Sequence, residues 1–256
     1  MLGLGLMDRI GRPPDPAAAA LIGRMSEAPG AARASLIDTA VRALKASGVW
    51  DKMDCCWVMA AHHAQAGLLN WKGAGNMLAA LGAMPAFTAD RGYQGDGATQ
   101  LLDTGFVPGA GMTLTNNHHL SVWCLSEARD SIAQIATDTL SIASRTPIDT
   151  LATRSASVGV DPGPSLDGRG MWLISRASGS GYSRYHNGIL ADAPAAASSE
   201  FGGVHPVYIC GRNAAGTPAY NGTMIAAATI GAALNADEQS ALHRTLRAYL
   251  AALGAA

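Results

Sequence analysis

Apolar residues recur at helical spacing in only a few places along this chain. Between residues 31 and 47, Leu36, Ile37, Ala40, Val41 and Leu44 fall three and four apart and line one face of a helix. Gly48 follows where a left-handed C′ residue is wanted. A second stripe, Leu242, Leu246 and Leu250, lies near the end behind Asn235 and Glu238, which supply the two halves of a capping box, and predicts a helix over 236–253. An earlier helix is predicted behind Asp15, a capping residue with Pro16 at the first helical position and AAAALIGRMSEA after it, ended by Pro29 and Gly30. DCCWVMAA (54–61) is apolar and rich in strand formers, and HHAQAGLLNWKG reads as a short helix and loop.

From about Phe87 the period changes. SVWCLS, SIASRT, RSASVGV, MWLISRAS, YSRYHNGIL, PVYICGR and TMIAAATIG each have strand length, and turn residues separate them. His186-Asn187-Gly188 is the clearest hairpin signal, because Asn-Gly accepts the positive φ of a type I′ turn. Many short strands at this spacing predict a mainly β protein: a two-sheet antiparallel jelly-roll sandwich with N-terminal helices and a C-terminal helix. The division expected is a helical segment over 1–53 and a sandwich over 54–256.

Composition narrows the function classes. The chain has 256 residues, 48% apolar and 14% charged, enough for a sizeable core. Its 30 glycines and 12 prolines suit many turns. Net charge is −1 and the basic residues are dispersed, which argues against nucleic acid as a partner. No stretch approaches the ~20 apolar residues of a membrane span. The opening MLGLGLMDRI lacks the basic start and apolar length of a secretory signal, so synthesis in the cytoplasm without general export is expected. Cys55, Cys56, Cys124 and Cys210 have no zinc spacing and read as reduced, buried thiols, the first two on opposite faces of a strand.

Catalytic patterns are sparse. Retaining glycosidase chemistry needs two flanking carboxylates, and the only glutamates are Glu27, Glu127, Glu200 and Glu238. Serine-nucleophile elbows, phosphate loops and metal-ligating histidine spacings are missing, so neither catalytic residues nor a cofactor or metal are expected. The pairs His62–His63 and His118–His119 are read as surface-loop residues. In FTADRGYQGDG (87–97), Asp90 and Asp96, with Asp103 downstream, offer a calcium loop, while Gly92, Gly95 and Gly97 suit tight reversals ahead of a first strand in QLLDTGF. Tyr182, Arg184 and Tyr185 beside the Asn-Gly turn form a candidate glycan platform, since aromatic faces stack on sugar rings and arginine forks bind their hydroxyls or carboxylates. The alternative is cross-strand packing. The five tryptophans sit in apolar runs or at helix ends and are assigned to packing.

The ordered series FTADRGYQGDGATQLLDTGF, SVWCLS, MWLISRAS…SRYHNG and PVYICGRNAAGTPAYNGTMIAAATIGAALNADEQSALHRTLRAYLAALG resembles the concanavalin A-like, laminin-G-like jelly-roll proteins of tailed phages, prophages and gene transfer agents of alphaproteobacteria. The lead-in ALKASGVWDKMDCCWVMAAHHAQAGLLNWKG resembles them too, so the likeness spans about residues 30–254. It implies a non-enzymatic virion component, such as a head spike, fibre or tail decoration, that binds host capsular or surface polysaccharide. Its partners would be other virion proteins, with a homo-oligomer expected and residues 1–53 serving for attachment. A purely structural adaptor and a polysaccharide-degrading enzyme using Asp96 or Asp103 are the competing readings.

Overall fold

All seven residues of the strand His118–Cys124 are buried. A strand covered on both faces reads as a continuous apolar run, not as an alternation. The computed structural model describes residues 12–111, 115–127, 129–157, 159–199 and 204–255. It sets this strand in the middle of an eight-stranded antiparallel sheet, between Gly170–Arg176 and Met224–Gly231. Ser183–His186 and then Ile189–Asp192 extend the sheet to one edge. On the other side, Met224–Gly231 pairs with Met53–Val58 along one half and with Gly92–Gln94 along the other, and Ala86–Thr88 closes that edge.

The second sheet runs in the order Asp161–Pro164, Thr150–Ser155, Leu140–Ala143, Ile135–Ala136, Tyr208–Ile209, Gln100–Asp103, Ala79–Gly82. The hairpin of Gly211–Ala214 and Thr217–Tyr220 joins it by a short parallel pairing to Ile135–Ala136. Leu120, Val122, Trp172 and Ile174 of the first sheet pack between the sheets against Leu101, Ile135, Ile142 and Ile209. The alternate residues Trp123, Met171, Leu173 and Tyr185 face away, into a second core shared with the helices Pro16–Ile22, Ala31–Ala46 and Ala236–Ala252. Cys55 and Cys56 divide between the two cores as neighbouring strand residues must. The molecule is a sandwich with a helical third layer over one sheet.

Both long helices bury the stripes expected of them. Ile37, Ala40, Val41 and Leu44 are buried on one, and Leu242, Leu246 and Leu250 on the other. Each such leucine or isoleucine is worth about 1.5–3 kcal/mol relative to exposure. Asp15 accepts from the Ala17 amide at 2.9 Å and caps the first helix. Gly48 adopts φ 74° between Ala31–Ala46 and the short helix Val49–Lys52, which runs directly into the strand Met53–Val58. The N-terminal helices therefore share the sandwich's second core. Asn235 accepts from the amides of Asp237 and Glu238, and Glu238 reaches back to the Asn235 amide. Asn235→Ala is expected to cost about 1 kcal/mol, read as a lowered urea midpoint with unchanged slope.

Several expectations need correction. QLLDTGF is not the first strand; Met53–Val58, Ala79–Gly82, Ala86–Thr88 and Gly92–Gln94 precede Gln100–Asp103. RSASVGV is not a strand throughout, because Thr150–Ser155 stops at Ala156, whose φ of 50° turns the chain. PVYICGR is split by Cys210 at φ 60° into Tyr208–Ile209 and Gly211–Ala214. The Asn-Gly hairpin forms as expected, with Asn187 at φ 50° and Gly188 at φ 78°.

Candidate functional site

The stretch 87–97 is turn chemistry. Gly92 has φ 116°, and a Cβ there would lie 2.1 Å from the Ile225 carbonyl oxygen, so the close approach to Met224–Gly231 requires glycine. Asp96 accepts from the amides of Ala98, Thr99 and Gln100 at 2.9, 2.7 and 3.0 Å and from the Thr99 hydroxyl at 2.6 Å. Those donors, the Thr99 hydroxyl foremost, hold its carboxyl far below the usual carboxylate range. Asp90 instead pairs with Arg33 at 2.5 Å, and Asp103 accepts from the Gly105 amide at 2.8 Å. The three aspartates do not converge. Among the described residues no group of three or more His, Cys, Asp or Glu is placed to hold a metal.

His118 and His119 are not loop residues. They begin the central strand and are fully buried. His118 Nε2 meets the Ser155 hydroxyl at 2.8 Å, and Arg176 Nε donates to the same hydroxyl at 3.2 Å. His119 reaches the Ala232 carbonyl at 2.6 Å and the Thr229 hydroxyl at 3.1 Å, and Thr229 is bonded to Ser121 at 2.6 Å. Burial pushes the two imidazoles down to about 3 and about 4. The following run LSVWC turned this segment into the middle of the sheet. His62 and His63, by contrast, are half-exposed in a loop.

Tyr182, Arg184 and Tyr185 are all buried, with Arg184 only 2% exposed. Arg184 holds Asp192 with two donors, Nε to Oδ1 at 2.5 Å and Nη2 to Oδ2. It also donates to the Asp161 and Pro162 carbonyls at 2.9 and 3.2 Å and to Thr153 at 3.2 Å. Tyr182 lies between the guanidinium groups of Arg176 and Arg184, 5.0 and 6.0 Å from its ring centre. Its hydroxyl donates to Asp161 at 2.8 Å and meets Thr153 at 2.6 Å. Burial, with the Asp161 carboxylate beside it, pushes the phenol well up. Tyr185 sits in the helix-side core, on the opposite face of the sheet from Tyr182. The structure thus joins Tyr182 to Arg184 and separates Tyr185 from both. Parts of Tyr182 and Tyr185 line a shallow concavity of about 460 Å³ with Ser183 and Pro194.

A larger cleft, about 630 Å³, opens where the helical layer meets the end of the first sheet. Trp123 comes from the central strand and His243 from the helix Ala236–Ala252, and their rings stack at 5.5 Å with 8° between planes. Arg247 is one helical turn beyond His243, Arg91 comes from the turn before Gly92–Gln94, and Arg169 and Asn187 complete the rim. Burial, with Arg247, His186 and Arg244 nearby, holds the His243 imidazole below its ordinary value. Asn187 Oδ1 accepts from the Met171 amide at 2.9 Å, and Gln239 donates to the Gly188 carbonyl at 3.0 Å, which fixes the hairpin tip beside the helix. Trp123 packs in the helix-side core, as expected from its apolar run, whereas the cleft beside it is not legible in the sequence, because its residues come from separate elements and share no local motif.

Elsewhere, Glu127 is bound to Arg145 and accepts from the Gly168 amide at 3.2 Å. All four cysteines are buried free thiols, pushed up to about 12 chiefly by burial. No helix among the described residues is long and apolar enough to cross a membrane.

No protein-family model and no curated protein matches the chain. Solved structures do. A mutant of Trypanosoma rangeli sialidase displaying trans-sialidase activity is 12% identical at a TM-score of 0.53, over 84% of this chain and 39% of that one. Domain 4 of AbnA, a GH43 arabinanase of Geobacillus stearothermophilus in complex with arabinotriose, is 14% identical at 0.47, over 74% and 99%. The CBM40 of Ruminococcus gnavus IT-sialidase is 16% identical at 0.45, over 66% and 98%. The chain spans about 40% of the length of the sialidases it matches. At these identities the sialidase likeness shows the sandwich fold alone.

Proposed function

We propose that the protein is a non-enzymatic glycan-binding module, a surface component of a phage-like particle that engages host capsular or surface polysaccharide. One observation carries the sugar-binding reading: the stacked Trp123–His243 pair lines an open cleft rimmed by hydrogen-bonding side chains. Aromatic faces beside a few fixed polar groups are what a pyranose ring needs. The cleft's volume lies within the range of small-ligand sites, about 300–1,000 Å³. The virion role is supported by the ordered sequence motifs that resemble jelly-roll proteins of tailed phages and gene transfer agents. On this reading residues 1–53 attach the module to the particle, next to other copies or other virion proteins.

The non-enzymatic part is supported by the carboxylates. Asp96 is spent on its own turn and Glu127 on Arg145, so neither stands beside a second, free acid. Binding to encapsulated and capsule-stripped host cells tests the module, with His243→Ala as the probe because His243 is only half-buried. Loss of one stacking face is worth about 0.5–1.5 kcal/mol, so capsule-dependent retention should weaken up to about tenfold, in a variant whose retained fold is checked by circular dichroism because the same change removes the Trp123 stack. Equal binding to both cell types would sink the glycan reading and favour a purely structural adaptor.

A further inference from the structure

We infer that the Trp123–His243 cleft takes an acidic sugar, whose carboxylate is held by the guanidinium groups of Arg91 and Arg247 with Arg169 at the rim. The inference rests on the glycan-binding reading above and names the ligand class for it. Among the described residues no aspartate or glutamate lines the cleft, whereas three arginines do. Elsewhere in the molecule Arg33, Arg42, Arg145 and Arg184 each face a carboxylate at a fixed distance. Arg169 is held by its own neighbour Asp167 at 3.0 Å, so its charge is partly answered. Arg91 and Arg247 have no ion-pair partner among the described residues, and both are exposed. They come from separate elements, one from a hairpin turn and one from the C-terminal helix.

A planar fork of donors matches a carboxylate in a way that it does not match a neutral hydroxyl. A concentration of unanswered guanidinium charge in a chain of net charge −1 is local, not a by-product of a basic protein. Nucleic acid is disfavoured for the same reason, since it requires a basic stripe following many phosphates. The outer face of the half-buried His243 ring, backed by the buried Trp123, and the Asn187 amide supply the ring-face and hydroxyl contacts beside the charge.

The test is calorimetric titration of the full chain with trimers of galacturonate, glucuronate and mannuronate and with chain-matched neutral trimers. A sulfated trimer and an oligothymidine complete the panel. At least one uronate should bind ten times more tightly than its neutral counterpart, and several-fold more weakly at 0.5 M than at 0.05 M salt. R91Q/R247Q, both at exposed positions, should lose at least tenfold in uronate affinity while keeping the wild-type melting temperature. R244Q, on the same helix but facing the groove toward Ala31–Ala46, should bind as wild type. Equal affinity for acidic and neutral trimers, or undiminished uronate binding by R91Q/R247Q, overturns the inference and leaves glycan binding standing. Tighter binding of the sulfated trimer or the oligothymidine also overturns it. No binding of any sugar overturns both readings.

Discussion

Between pH 6.5 and pH 4 the protein is expected to lose a large share of its stability, chiefly through His118 and His119. Both imidazoles are buried and neutral, with folded-state values pushed down to about 3 and about 4, against roughly 6.5 in an unfolded chain. The unfolded state therefore binds protons across that window that the folded state refuses, and stability falls as pH falls. The contribution is fully present above about pH 6.5 and is lost progressively toward pH 4 and pH 3. Each unit of displacement is worth about 1.4 kcal/mol, so the two together are worth on the order of several kcal/mol, comparable with the whole stability of a domain. At His118, Arg176 and the neighbouring His119 reinforce the sign and the Thr115 carbonyl opposes it, with burial dominant. At His119, Lys52 lowers the value and Glu238 opposes it, but burial dominates. The lowered carboxyls of Asp15, Asp38 and Glu238 add their own losses only below about pH 4. The measurement is the urea midpoint at steps from pH 7.5 to 4.5 for the wild type and for H118N/H119N. The variant should show a much flatter dependence whatever its absolute stability. A variant as pH-sensitive as the wild type would show that other groups carry the acid transition.

That the two histidines had been read as loop residues shows where sequence reasoning stops. Helical stripes and caps are local, so Asp15, Gly48, Leu44, Asn235 and Glu238 were legible directly, and so was the Asn187-Gly188 turn. What was not legible is which strand face receives a third layer. LSVWC and MWLIS look alike whether one face or both are covered, and covering both made the central strand bury His118 and His119 with it. Single residues at positive φ, such as Ala156 and Cys210, break runs that look continuous because neither residue type signals a turn. The candidate platform is divided for a related reason. Tyr182, Arg184 and Tyr185 are adjacent in sequence but alternate across the sheet, whereas Arg91, Trp123, His243 and Arg247 are distant in sequence and meet in one cleft. A period-2 reading of 182–185 would have separated Tyr185 from Tyr182 and Arg184 at the outset.

Arg184→Met is expected to cost about 3–5 kcal/mol, the second large effect. Arg184 spans the open edge of the sandwich. From Ser183–His186 of the first sheet it reaches Asp192 on the neighbouring strand and the Asp161 and Pro162 carbonyls on the edge strand of the second. It also packs over Tyr182, whose hydroxyl returns to Asp161 and Thr153. Removing the guanidinium strands two carbonyls, a hydroxyl and the Asp192 carboxylate, which is 31% exposed and only partly recovers water. The greater share of the cost is that uncompensated charge, so R184M/D192N should recover part of the loss. Urea unfolding of the wild type, both single variants and the double variant closes the cycle. A coupling of 1 kcal/mol or more would show that Arg184 and Asp192 act as a pair across the two edge strands of the first sheet. A single-variant loss below about 0.5 kcal/mol, the scale of an ordinary surface substitution, would instead mean that this network contributes little to stability.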